Sequence, residues 1–301
     1  MLIHTDQTGF ISQRQTHDSI RRSLSRLSHI QEQNLQALLV SLDAEKAFDS
    51  VSWEFLYRVL EKFGFHKKFI KGISSLYNNP SAQIKINGQL SKPIKLERGT
   101  RQGCGLSPLI FALYIEPLAQ WIRQRNSIKG ISINNDEHKV ALYADDILMF
   151  LSEPSESELF DLLETFGKYA GYKLNIQKTQ ILRLNYTLPR ALQDKFHLKW
   201  DQTAIKYLGV LLPKEITTIK KIYYDPLLNK IKSDILKWNS NPFMSLTQRI
   251  ESIKMNILPR ILFLFQALPV DISKMQFNDW DKILSRFIWQ GKKPRVRFKT
   301  L

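Results

Sequence analysis

Apolar residues along this chain fall into short unbroken runs and helical stripes, with turn signals between them. LLVSLDA (38–44), apolar but for Ser41 up to the acid at its end, has the pattern of a buried strand. After it Trp53, Leu56, Tyr57 and Leu60 recur at helical spacing, and Gly64 is placed to close that helix. SAQIKINGQLSKPIKL (81–96) alternates around Asn87–Gly88, which predicts a hairpin. SPLIFALYIEPLAQWIRQ (107–124) predicts a helix capped by Ser107, with Pro108 at its first position and a kink at Pro117. VALY and ILMF predict two strands that meet at Asp145–Asp146. SESELFDLLETFGKYAG (155–171) opens on a Ser155/Glu158 capping box, carries a stripe of Leu159, Leu162, Leu163 and Phe166, and closes on Gly171. KTQIL (178–182) and IKYLGVLLP (205–213) read as strands, and beyond Pro226 the pattern is helical. Strands interleaved with helices and hairpins predict an α+β fold, an antiparallel sheet with helices on one face.

The stretch ILPRILFLFQALPV (257–270) is too short, and too broken by Arg260 and two prolines, to span a bilayer. The N-terminus lacks the cationic start and apolar core of a signal peptide. Neither points to a membrane, and cytoplasm and nucleus are the expected compartments. One cysteine, Cys104, excludes a disulfide framework and a thiolate zinc site. It is expected to pack as a small residue.

Charge changes the picture more. The 301 residues carry a formal net charge of +16. Residues 1–213 hold 27 Lys+Arg against 21 Asp+Glu, and residues 214–301 hold 17 against 7. An excess concentrated in the last third points to a polyanionic partner, nucleic acid or an anionic membrane surface. A basic, mostly helical segment from about 214 is expected to be a separate subdomain.

Asp145 and Asp146 stand side by side between two apolar runs, where charge is costly. Asp is a good turn residue, so a simple hairpin turn is one explanation. The other is that Asp43, at the end of its own buried strand, joins them at one sheet edge. Carboxylates that converge without a cysteine or histidine cluster are hard oxygen ligands suited to Mg²⁺ or Mn²⁺. Two such ions, roughly 3.5–4 Å apart, serve phosphoryl transfer.

SLDAEKAFDSVSW, RGTRQGCGLSPLIF, ALYADDILMFL, GYKLNIQKTQIL and IKYLGVLL resemble, in order and spacing, the successive blocks of reverse transcriptases, most closely those of non-LTR retrotransposons of the long interspersed element type. The resemblance implies a right-hand polymerase with a ferredoxin-like palm. Partial fingers would occupy 1–36, the palm 37–213 with further fingers within 64–98, and a helical thumb 214–301. Asp43, Asp145 and Asp146 would hold two Mg²⁺ or Mn²⁺ ions, with the Ala44 carbonyl completing one shell. Lys178 would meet the pyrophosphate leaving group. Phe48 would be a steric gate beneath the sugar of the incoming dNTP, Gln102 and Gly103 would line the nucleotide pocket, and Arg14 would contact phosphate. Gly105 replaces the family's usual proline, which removes a fixed φ from that loop.

Ser107 and Pro108 would start a helix beneath the template, and Tyr207, Leu208 and Gly209 resemble a primer-grip hairpin. Lys220, Lys221, Lys230, Lys232 and Lys237 would track a duplex backbone, and the tail GKKPRVRFK (291–299) reads as a further nucleic-acid or localisation segment. The implied partners are an RNA template, a DNA primer and dNTP. The resemblance further implies that the chain begins inside the fingers and ends after the thumb, without the family's endonuclease domain or cysteine-rich segment. Two alternatives stay open: a catalytically silent remnant that only binds RNA or DNA, and an intron maturase, which shares the polymerase blocks.

Overall fold

The computed structural model describes residues 2–152, 156–186 and 202–296. Ser155 of the expected capping box and residues 297–299 of the basic tail lie outside them. The chain divides into two compact units, residues 1–214 and 215–301. In chain order the first unit contains α1 (Thr16–Glu32), β1 (Ala37–Leu42), α2 (Trp53–Lys62) and α3 (Lys67–Leu76). Four two-residue strands follow: β2 (Ser81–Ala82), β3 (Lys85–Ile86), β4 (Gln89–Leu90) and β5 (Ile94–Lys95). Next come α4 (Ser107–Gln124), β6 (Ile131–Ile133), β7 (Asp136–His138), β8 (Val140–Tyr143) and β9 (Asp146–Leu151). The unit closes with α5 (Glu156–Ala170), β10 (Gln180–Leu184), β11 (Ala204–Tyr207) and β12 (Val210–Pro213).

The centre of the unit is a four-stranded sheet of order β10–β1–β9–β8 with every neighbouring pair antiparallel. Strand side chains alternate between faces. Leu38, Val40, Leu42, Ile147 and Met149 share one core with Leu56 and Leu60 of α2, Phe111 and Tyr114 of α4, and Leu159 and Phe166 of α5. Leu39, Leu148 and Phe150 take the other face and are also fully buried. There the Arg26 guanidinium of α1 lies 5.1 Å from the centre of the Phe150 ring. The Tyr207 hydroxyl, at the end of β11, meets Ser19 Oγ of α1 at 2.8 Å. The α+β class is therefore as expected, but helices cover both faces. The stripe that carries α1, Ile20, Leu24, Leu27 and Ile30, is buried throughout, and this is why β1 and β9 read as unbroken apolar runs rather than alternating ones.

Local chemistry explains most boundaries. After α2, Gly64 has φ +81 and the Gly64 and Phe65 amides bond back to Glu61 and Leu60, a left-handed C-terminal cap. Asn87 and Gly88 both have positive φ, which lets β3 and β4 close a two-residue hairpin. Asn134 and Asn135 do the same between β6 and β7, a hairpin not read from the sequence. Gly171 ends α5 at φ +83, where a Cβ would stand 2.5 Å from the Ser50 carbonyl oxygen.

Three expectations shift. Ser107 is the first helical residue of α4 rather than its cap, a place taken by Leu106 without a side-chain bond. The turn between β8 and β9 is Ala144–Asp145 and not Asp145–Asp146, because Tyr143 pairs with Asp146. In the second unit the helix expected beyond Pro226 begins at Ile219, runs to Asn239 and carries Pro226 inside it. That unit continues with helices Leu246–Ser252, Leu258–Ala267 and Lys274–Ile288. A π-helical turn at Ile253–Ile257 precedes Pro259, whose missing N–H interrupts the regular ladder. No helix among the described residues is long and apolar enough to cross a membrane.

Phe111 is fully buried between Phe48 and Tyr114, whereas Ile86 is 66% exposed on its hairpin. Phe111→Ala is expected to cost about 3–5 kcal/mol in urea denaturation, and Ile86→Ala to stay within about 0.5 kcal/mol.

Candidate active site

The ends of β1 and β9 bring the acids together. Leu42 of β1 pairs with Ile147 of β9, so the next positions outward, Asp43 and Asp146, face each other at the sheet edge. Asp145 completes the β8–β9 turn beside them. Asp43 is held from its far side by residues 173–175: its carbonyl accepts from Asn175 N at 2.8 Å, and Glu45 N donates to the Lys173 carbonyl at 2.8 Å. Those two bonds flank the Ala44–Leu174 bridge and use no group of Ala44. The Ala44 carbonyl accordingly points away from residues 173–175, as antiparallel pairing geometry requires.

The turn itself is unusual. Ala144 has φ 54, in the left-handed region that costs a residue with a Cβ about 1–2 kcal/mol. It is nevertheless 2% exposed and packed in the core, so its surroundings hold it there.

Electrostatics mark the edge as frustrated. Asp146 is itself exposed at the rim, yet the protein packed around it, and then the charges of Asp145 and Asp43, push its carboxyl up to about 6. Burial and the Asp43 charge raise Asp145 as well. Among the described residues the cation paired with Asp43 is Lys178, with Nζ 4.0 Å from Oδ2, and its side chain is 71% exposed, so it neutralises little. Below the acids, the Tyr172 hydroxyl is buried without a hydrogen-bond partner among the described residues. Burial, then Asp145, raises its pKa. Among the described residues no three acidic, histidine or cysteine side chains are closed onto one point as a preformed cage. The trio is an open set of oxygen donors whose repulsion a hard divalent cation would relieve, which fits Mg²⁺ or Mn²⁺ in kind.

Around this edge lie two further groups of residues. Phe48 stacks on Phe111 with ring centres 4.4 Å apart, and its carbonyl accepts from Thr100 N at 2.7 Å. The half-buried ring is thereby braced from behind. The loop holding Gln102 and Gly103 is exposed, and Gly103 has φ +79 in open space, so glycine is needed there for its backbone alone. Cys104 is half-buried, and the Leu106 and Ser107 amides at the start of α4 lower its thiol pKa.

Beyond Ala44 opens a cleft of about 780 Å³ lined by Lys46, Arg98, Lys173 and Lys178, with Glu45 the one acid among the described residues of its wall. Sequence reading selected only Lys178 of these four. Lys46 and Arg98 stand inside two of the quoted blocks, but nothing in their spacing says that they share a cleft with Lys178.

Of the other expected residues, Arg14 is placed differently. The Arg14 guanidinium donates to the His4, Gln7 and Ile3 carbonyls, at 2.6, 2.5 and 3.4 Å, and so fastens the N-terminal loop. Tyr207 is buried with its hydroxyl on Ser19, while Leu208 and Gly209 form the positive-φ turn of the β11–β12 hairpin. Ser107 is buried and Pro108 half-buried in the first turn of α4. Lys220, Lys221, Lys230, Lys232 and Lys237 are all exposed on helix Ile219–Asn239. At about 100° per residue, Lys221 and Lys232 fall on one side of its buried Tyr224, Ile231 and Ile235, and Lys220, Lys230 and Lys237 on the other. They make two rows, not one stripe.

A family model described as "Reverse transcriptase (RNA-dependent DNA polymerase)" matches residues 1–212. The chain is 26% identical over 299 residues to the transposon TX1 uncharacterized 149 kDa protein of Xenopus laevis, covering 97% of this chain and 22% of that protein. It is 29% identical over 153 residues to the retrovirus-related Pol polyprotein from the type-2 retrotransposable element R2DM of Drosophila melanogaster, covering 50% and 14%. The chain thus spans about a fifth or less of the length of these relatives. Among solved structures, apo telomerase from Candida tropicalis is similar at a TM-score of 0.49 and 13% identity, covering 91% of this chain and 50% of that one.

Because the raised pKa of Asp146 favours its neutral form, its contribution to stability is full below about pH 4 and is lost as pH rises through about 6. In EDTA, Asp146→Asn should melt at a higher temperature than the parent at pH 7.5. The gap should shrink as pH falls through about 6 and vanish near pH 4. Equal melting temperatures at pH 7.5 would show that the acids do not strain this edge.

Proposed function

The chain belongs to the reverse transcriptase family, with non-LTR retrotransposon proteins as its relatives, and on that premise we propose that it extends a DNA primer on an RNA template by nucleotidyl transfer from dNTP. The observation that carries the reading is the meeting of Asp43, Asp145 and Asp146 at one sheet edge beside a cleft lined by four cationic side chains. Asp43, Asp145, Asp146 and the Ala44 carbonyl would hold two Mg²⁺ or Mn²⁺ ions. When bound, these ions supply charge stabilisation to the attacking 3′-oxygen, the α-phosphate and the departing pyrophosphate.

The chain's own residues do the rest. Lys46, Arg98 and Lys173 hold the triphosphate by charge, and Lys178 at the same wall meets the leaving pyrophosphate or gives it a proton. Phe48, braced by Phe111, fills the space that a ribose 2′-OH would need and offers it no hydrogen-bond partner. Gln102 and Gly103 lie on the exposed loop before α4, where the backbone can approach the nucleotide. Arg14 is left out of this set, because loop carbonyls already engage its donors. The β11–β12 hairpin, with Tyr207, Leu208 and Gly209, is assigned to the primer, and Ser107 and Pro108 to the template side. In the second unit the exposed lysines give sequence-independent, salt-sensitive affinity for a nucleic-acid backbone, their two rows meeting separate phosphate tracks.

The reading is tested by dTTP incorporation on oligo(dT)-primed poly(rA) with Mg²⁺ or Mn²⁺. Extension is expected in the parent and lost by more than about 10³-fold in Asp145→Ala/Asp146→Ala, the scale of removing charge stabilisation from a transition state. Duplex binding should persist in that variant and weaken with salt. Binding without extension in the parent would support a silent remnant instead. Phe48→Val should raise ribonucleotide incorporation by about 10-fold or more, read as the ratio of kcat/KM for rNTP and dNTP. Lys46→Ala/Arg98→Ala should raise KM for dNTP more than it lowers kcat.

A further inference from the structure

The β8–β9 turn that carries two of the acids does not support itself, and the residue that supports it stands more than a hundred positions earlier in the chain. Residues 6–8 lie parallel to β8. Leu142 N donates to the Asp6 carbonyl at 3.0 Å, and Thr8 N to the Leu142 carbonyl at 2.9 Å, with Thr8 Oγ1 on the same oxygen at 3.1 Å. This pairing covers the open edge of β8 up to the turn. It also delivers the Gln7 side chain, which is 0% exposed, directly beneath Ala144.

Gln7 Oε1 accepts from Ala144 N at 3.0 Å and from Gly9 N at 2.8 Å, and Nε2 reaches the Ala144 carbonyl at 3.5 Å. A buried amide that meets both the N–H and the C=O of one residue fixes the orientation of the two peptides that flank it. Gly9 closes the arrangement. A Cβ there would stand 2.3 Å from Ala144 N and 2.8 Å from the Tyr143 carbonyl carbon, so only glycine permits the approach. Arg14, bonded to the Gln7 carbonyl, holds the segment in register.

From this geometry we infer that Gln7 and Gly9 form a clamp that holds Ala144 in its left-handed conformation and thereby aims Asp145 and Asp146 at their shared cation. Gln7 is a positioning residue: it touches neither nucleotide nor metal, and it acts through the backbone of Ala144. The inference deepens the reading of Asp145 and Asp146 as metal ligands and rests on it. The interactions of a buried side chain that satisfies two amides are lost outright when that side chain is made apolar, because neither amide has water to turn to. The acids then keep their sequence and their sheet but lose their common direction.

The test is Mn²⁺ binding to the whole chain without nucleotide or primer, followed by electron paramagnetic resonance of the free ion. Thermal melting and amide hydrogen exchange are measured on the same samples. Gln7→Met keeps size and removes both the Oε1 acceptor and the Nε2 donor. Leu24→Ala, in the buried stripe of α1 and outside the clamp, supplies a control that loses stability by an unrelated route. Gln7→Met is expected to weaken Mn²⁺ binding by about tenfold or more. Leu24→Ala, compared at matched folded fraction, should bind as the parent does. Parent-like Mn²⁺ affinity in Gln7→Met, or an equal loss in Leu24→Ala, would overturn the clamp.

Gln7→Met can fail to fold, and the parent alone then decides. Its Ala144 amide should exchange as slowly as the β8–β9 ladder amides, and exchange at the rate of an open turn would overturn the inference. Failure of the underlying reading looks different. The parent would bind no Mn²⁺, or Asp145→Ala/Asp146→Ala would bind it unchanged, while the Ala144 amide still reported on the clamp.

Discussion

Repulsion among Asp43, Asp145 and Asp146 at the end of a buried sheet is the constraint around which the first unit is organised. Three carboxylates at one edge oppose folding unless the rest of the structure outweighs them. Here β1 and β9 are buried on both faces, between the α2, α4 and α5 core and the α1 layer, and their pairing register leaves the acids no freedom to separate along the strands. The edge is thus held in a state that is poor for the protein alone and suited to a divalent cation. A turn residue in the left-handed region, a tyrosine hydroxyl with no partner among the described residues and a carboxyl pushed up to about 6 all lie within this edge.

What surrounds the edge follows from the same demand. Residues 173–175 grip Asp43 through its backbone, leaving the Ala44 carbonyl unused by that pairing. The Phe48–Phe111 stack and the Thr100 contact fix the 47–50 turn against α4. Gly99, at φ +96, lets its loop pass close to the Asp49 backbone, where a Cβ would stand only 2.8 Å from the Asp49 carbonyl oxygen. Rigid elements therefore bear on the acids from the strands and from the loops on either side. The cationic side chains of the neighbouring cleft, in contrast, sit on flexible stems.

Much of this was legible in the sequence because it rests on local chemistry. LLVSLDA and VALYADDILMF announced buried strands by their unbroken apolar runs, and Asn87–Gly88, Gly64 and Gly171 announced their turns by the φ values that they permit. The ordered blocks made the family readable. Other features were not legible, for reasons that are equally physical. The exact turn, Ala144–Asp145, depends on a glutamine that arrives from residue 7, and no local pattern encodes it. The second helical layer was missed because unbroken apolar strands fix burial on two faces without saying what covers the second. The cleft of Lys46, Arg98 and Lys173 is built from three separate loops. Arg14 had the right chemistry for phosphate, but its donors meet carbonyls whose position only the folded loop determines.

Proton release on metal binding tests the central claim most directly. If a divalent cation takes the place that a proton occupies on Asp146, titrating the metal-free chain with Mn²⁺ near pH 6 should liberate a substantial fraction of a proton per chain. The release should fall away toward pH 8 and be largely absent in Asp146→Asn. Mn²⁺ binding with no proton release at pH 6, or release unchanged in Asp146→Asn, would contradict the account of an acidic edge strained for a cation.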